Sequence, residues 1–133
     1  MAKKKAPAGA IDSIGDVEKG RTIEAILKIQ EGLSDAIVLL QARRMTPDVT
    51  SDERKLITVE LADLEADSAK VQAKLLAFLG GQASFQPPSA TEFEKIKELV
   101  VVLDEMTART TTATGILRAA TDLLTSFGGI AQT

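Results

Sequence analysis

Ile57, Leu61, Leu64, Val71, Leu75 and Phe78 recur at steps of three, four and seven residues, a rhythm interrupted only at Ser68. A helix with 3.6 residues per turn gathers such positions into one stripe, whereas a strand would scatter them over both faces. A stripe of this length has to be buried against other helices, so the spacing predicts a packed bundle. Two further long segments repeat the pattern. The expected fold is all-α: an antiparallel bundle of three long helices with coiled-coil-like packing.

The first helix is expected from about Ser13 or Asp16 to Met45, with Ile23, Ile26, Leu33, Ile37 and Leu40 on its stripe and Leu27, Ile29 and Leu39 widening it. Gly15, Gly20 and Gly32 weaken it. Pro47 cannot continue an intact helical ladder, so Thr46 to Thr50 should be a short turn that sends the second helix back antiparallel. That helix opens on a capping-box pattern, Thr50 to Glu53, and should end at Gly80 and Gly81. Phe85 is the expected anchor of the linker through Pro87 and Pro88. A second capping box, Ser89 to Glu92, opens the third helix, whose stripe is Phe93, Ile96, Val100, Leu103, Thr110, Leu117, Leu124 and Phe127, and which Gly128 and Gly129 should end. Such a helix would be about 60 Å long, well beyond its neighbours. It either overhangs the bundle or breaks near 110–115, where Thr110, Thr111, Thr112, Thr114 and Gly115 lower helix propensity. Gln30 and Ser68 interrupt the first two stripes at similar distances from the hairpin and should share one polar layer.

At 133 residues, 44% hydrophobic and 26% charged, the chain fits one domain. The expected division is a disordered basic leader over 1–12, carrying Lys3, Lys4 and Lys5, then the bundle over 13–129 and a tail over 130–133. A net charge of -3 with no Trp or Tyr argues against nucleic acid as a partner, because phosphate binding needs a basic surface and single-strand readers need aromatic platforms. The leader has no apolar run behind its lysines and no window holds about 18 uninterrupted apolar residues, so a cytoplasmic protein without a signal peptide or membrane span is expected.

With no His and no Cys, thiolate chemistry and a histidine-containing di-iron site are excluded by composition. Gly15, Gly20, Arg21 and Thr22 match the glycine spacing of a phosphate-binding loop with arginine in place of its lysine, and Leu99 to Leu103 followed by Asp104 and Glu105 imitates a magnesium-binding strand. Asp16 and Glu18 would put negative charge inside that cradle, and Val100 and Leu103 fit a helical phase instead. Glu60, Asp63 and Asp67 lie on one side of the second helix, where facing carboxylates from another helix would be needed to hold magnesium. Asp48, Thr50 and Asp52 begin like a calcium loop, but Glu53 and Val59 stand where its glycine and final glutamate belong. No catalytic residue, cofactor or metal is therefore expected.

The segment from Thr107 to Thr133 has only Arg109, Arg118 and Asp122 as charges. Thr111, Gly115 and Ala119 fall four apart, a small-residue row that lets another helix approach closely. An overhanging third helix would leave Ile116, Leu123, Leu124 and Phe127 in water, and exposed apolar patches usually mark interfaces. The expected interface is thus Thr111, Gly115, Ile116, Ala119, Leu123, Leu124 and Phe127. The expected function is a non-enzymatic structural or protein-interaction subunit, with a second copy or another helical protein as partner. A membrane-active protein inserting its C-terminal half is the alternative, and a metal-dependent nucleotide-binding enzyme the third reading.

Overall fold

The structure, a computed structural model, describes residues 15–131. These form four helices and no strand: α1 (Asp16–Arg44), α2 (Ser51–Leu79), α3 (Ala90–Glu105) and α4 (Ala113–Ala131). The all-α expectation holds, while the third long helix is two helices separated by a turn over 106–112. The expected basic leader lies outside the described residues. Ile130 and Ala131, expected in the tail, instead belong to α4 and are buried.

The helices run up, down, up, down. Arg21 near the start of α1 donates to the Pro88 carbonyl at the start of α3, and Arg43 at the end of α1 donates to Ala108 and Arg109 just past the end of α3. These contacts make α1 and α3 parallel. At that second end the start of α2 meets the start of α4, through Glu53 and the Ala113 N–H. α1 packs against all three other helices, α4 also touches all three, and α2 and α3 share at most marginal contact. The bundle is therefore rhombic in section, with α1 and α4 on its short diagonal.

The ends follow local chemistry. Thr50 Oγ1 accepts from the Glu53 N–H at 3.0 Å, and Ser89 and Glu92 form the full reciprocal box at 2.7 and 3.1 Å. Gly80 and Gly81 end α2 as a Schellman motif: Gly81 has φ +74°, its N–H reaches the Phe78 carbonyl, and Gln82 N–H reaches Ala77. By contrast Gly128 and Gly129 continue α4 rather than ending it, because Ile130 and Ala131 still have core to bury. Phe85 anchors the linker as expected, stacked on Phe78 with ring centroids 4.7 Å apart and meeting Phe127 edge-on at 6.0 Å.

The α2 stripe is buried in full at Ile57, Leu61, Leu64, Val71, Leu75 and Phe78. The other stripes shift in phase. In α1 the buried row is Ile26, Ile29, Leu33, Ala36 and Leu40, with Ile23, Ile37 and Leu39 at its margins and Leu27 exposed. In α4 it is Ala113, Ile116, Ala120, Leu123, Phe127 and Ile130, while Leu117 and Leu124 are only half-buried and Thr110 lies in the turn. The turn resets the helical phase, so a register carried forward from Phe93 and Ile96 fails beyond Leu103. Gln30 and Ser68 are both half-buried, and no hydrogen bond joins them among the described residues.

Candidate functional site

The α3–α4 turn is held by one ion pair. Arg43 Nε and Nη2 donate to the two Glu53 carboxylate oxygens at 2.9 and 3.1 Å, and Nη1 donates to the Ala108 and Arg109 carbonyls at 3.1 and 3.0 Å. Glu53 Oε2 also accepts from Ala113 N–H at 2.9 Å, at the positive end of α4, beside Thr112 Oγ1, which accepts from Gly115 N–H at 3.2 Å. Arg43 is 7% exposed. Its guanidinium beside Glu53 holds that carboxyl below the usual range, and the carboxylate in turn raises Arg43. The expected reach of Glu53 back to the Thr50 N–H is therefore replaced by a longer-range task. Nothing in local spacing distinguishes Arg43 from Arg44, because the difference is which of them faces the turn.

A second polar cluster sits at the α1–α3 contact. Carboxylate oxygens of Glu31, Asp35 and Asp104 lie within 4.8 Å of one another, and Asp35 Oδ2 is buried with no hydrogen-bond donor. Burial first, then the facing Asp104 and nearby Glu31, push the Asp35 carboxyl from 3.8 up to about 6. Two ionised carboxylates have no donor between them, so a hydrogen bond from Asp35 to Asp104 forms only when one oxygen carries a proton. The fold binds that proton more tightly than the unfolded chain does. The stabilisation is full below about 3.8 and is lost as pH rises through about 6. Asp35→Asn, which keeps a donor at every pH, is expected to raise the melting temperature at pH 8 by roughly 3–6 °C. It should also flatten the pH dependence between about 6 and 4; an unchanged slope in thermal melts would show that Asp35 does not titrate there.

The other motifs dissolve into helix. Gly20, Arg21 and Thr22 lie inside α1, where Thr22 is buried and its hydroxyl donates to the Glu18 carbonyl at 2.7 Å, so no loop cradles a phosphate. Val100 and Leu103 are core residues of α3. Glu60, Asp63 and Asp67 border a cleft whose α4 wall is Leu117, Ala120, Thr121 and Leu124, with no carboxylate facing them. A partly open groove of about 200 Å³ between Glu92, Lys95 and Ile96 on α3 and Thr125, Ser126 and Gly129 on α4 is smaller than the ~300 Å³ at which ligand pockets begin.

Of the seven expected interface residues, Ile116, Ala119, Leu123 and Phe127 are buried inside the chain's own bundle, and Thr111, Gly115 and Leu124 are half-buried. The expectation that an overhang would expose Ile116, Leu123 and Phe127 is not met, because the turn at 106–112 folds α4 back along α1. Apolar surface is instead left open on α2. Val59, Ala62, Ala66, Ala69, Ala73 and Leu76 form a row at alternating steps of three and four, opposite the buried stripe, and every member is exposed, Val59 by 60% and Leu76 by 61%. Large exposed apolar residues on the neighbouring helices are broken up: Val17, Leu27 and Val38 on α1 are separated by Gly20, Glu24, Glu31 and Ser34, Met45 caps that helix, and α3 offers only the adjacent Val101 and Val102. No helix among the described residues is long and apolar enough to cross a membrane. No family model, no curated protein and no solved structure matches this chain.

Proposed function

We propose that this chain is a non-enzymatic structural subunit that assembles through a helix face, with itself or with another helical protein. The observation that carries the reading is the second apolar row of α2. A bundle helix ordinarily shows one apolar stripe to the core and a polar face to water, whereas α2 has apolar stripes on opposite sides. An uninterrupted exposed row of this kind is what helix-in-groove and helix-on-helix contacts use. The surface that does this work thus lies on α2 rather than on α4, whose apolar face is already covered by α1.

Sedimentation velocity over a concentration series tests the reading. A dimer or larger species that forms with rising concentration is the expected result, with dissociation on dilution into the low micromolar range or below. A chain that sediments as a monomer at high micromolar concentration overturns self-assembly. The membrane-insertion alternative requires α4 to leave the core, since Ile116, Leu123, Phe127 and Ile130 are all buried there.

A further inference from the structure

We propose that the exposed face of α2 joins two copies of this chain as an antiparallel helix pair about a two-fold axis centred between Ala66 and Ala69. The inference rests on the assembly reading above and adds the occupant, the register and the direction. The row Val59, Ala62, Ala66, Ala69, Ala73, Leu76 occupies the two inward positions of a heptad. Its order is a palindrome of size: reversed on itself, Val59 meets the partner's Leu76, Ala62 meets the partner's Ala73, and Ala66 meets the partner's Ala69. The large residues close both ends of a seam about 26 Å long, and the four alanines between them let the helix axes approach to about 8 Å. Isologous pairing through one self-complementary patch is the ordinary construction of a symmetric dimer.

The flanking charges specify the direction. Asp63 and Lys70 are both exposed and lie on the same flank of the row. In the antiparallel register each Asp63 faces the partner's Lys70, so the pair occurs twice by symmetry, while on the opposite flank Glu65 faces the partner's Gln72. Further out on the first flank, Leu56, 39% exposed, meets the partner's Ala77. One turn beyond the seam, Lys55 extends over the C-terminal end of the partner's α2, where the helix dipole favours a cation. A parallel pair in the same face would instead stack Lys55 on the partner's Lys55 and Asp52 on the partner's Asp52, and like charges in a desolvated seam are disfavoured.

Because the chain has no cysteine, cross-linking reads the register directly. Ala62→Cys and Ala73→Cys are prepared separately in the full chain and oxidised alone and as an equal mixture. The expected result is a disulfide dimer in the mixture and almost none in either variant alone, since like positions lie about 16 Å apart along the antiparallel pair. Cross-linking of each variant with itself shows a parallel pair and overturns the proposal. Ala66→Glu, at an exposed site that leaves the fold's circular dichroism unchanged, should raise the dissociation constant about 100-fold by placing unpaired charge at the seam centre. Asp63→Lys should weaken dimerisation, and adding Lys70→Asp should restore it. An oligomer that ignores all of these variants sinks the α2 pairing while leaving the assembly reading intact; a monomeric wild type sinks both.

Discussion

Arg43→Ala is expected to lower the stability of the fold by about 3–5 kcal/mol, a large fraction of the roughly 5–15 kcal/mol that holds a domain of this size together. The change strands the Glu53 carboxylate, whose side chain is 18% exposed, and releases the Ala108 and Arg109 carbonyls that define the α3–α4 turn. Chemical denaturation should show the loss directly, with a fall in melting temperature of roughly 10–20 °C. Arg43→Lys should recover little, because an ammonium cannot hold both carboxylate oxygens and two carbonyls in one plane. The double variant with Glu53→Ala should be no worse than Arg43→Ala alone, since it leaves no unpaired charge behind, although the Ala113 N–H loses its acceptor. If the single and double losses simply add, the pair is not coupled.

The same ion pair gives the acid limb of a pH profile. Glu53 titrates below its ordinary 4.5 in the fold, so the stability it contributes is present above 4.5 and is lost as pH falls through the depressed value. Asp35 acts with the opposite sign, contributing more as pH drops from about 6 towards 3.8. Melting temperature should therefore rise from pH 7 to about 5 and fall again under stronger acid. Arg43→Ala should flatten the acid limb and Asp35→Asn the other.

Gly32→Leu is expected to be the most damaging overpacking substitution on α1, at about 3 kcal/mol or more, and to lower helicity or the cooperativity of unfolding as well. A Cβ at Gly32 would collide with Leu123 Cδ1 and stand 3.3 Å from Val100 Cγ2 and 3.5 Å from Leu103 Cδ1. Leu103 and Leu123 are fully buried, so neither has free space to turn into. Gly32→Ala is the informative control. Its gain in helix propensity of about 1 kcal/mol opposes the overpacking of one methyl group. Gly20→Ala, where nothing lies within 4 Å of the added carbon, should give the propensity gain alone and stabilise the chain. Equal effects of the two alanine substitutions in urea melts would mean that Gly32 is not a point of close helix approach.

The amino-acid sequence by itself determined the class of fold, because helical periodicity, caps and stops are local. The stripe of α2 from Ile57 to Phe78, the box at Ser89 and Glu92 and the Schellman end at Gly81 each depend on residues a few positions apart, and the bulk of Phe85 in a polar linker marks it as an anchor before its partner Phe127 is known. Only the tertiary structure decided where the last forty residues turn back. A continuous helix would have left Ile116, Leu123 and Phe127 in water, and burying them along α1 outweighs the few helical hydrogen bonds given up at 106–112. That choice reset the phase of α4, moved the free apolar surface from α4 to α2, and selected Arg43 over Arg44 as the buried cation. It also turned Gly32 from a weak point in a helix into the place where α3 and α4 reach α1. These outcomes depend on pairs such as Arg43 with Ala108, Asp35 with Asp104 and Gly32 with Leu123, which lie more than sixty residues apart in the chain and are neighbours only once the helices have packed.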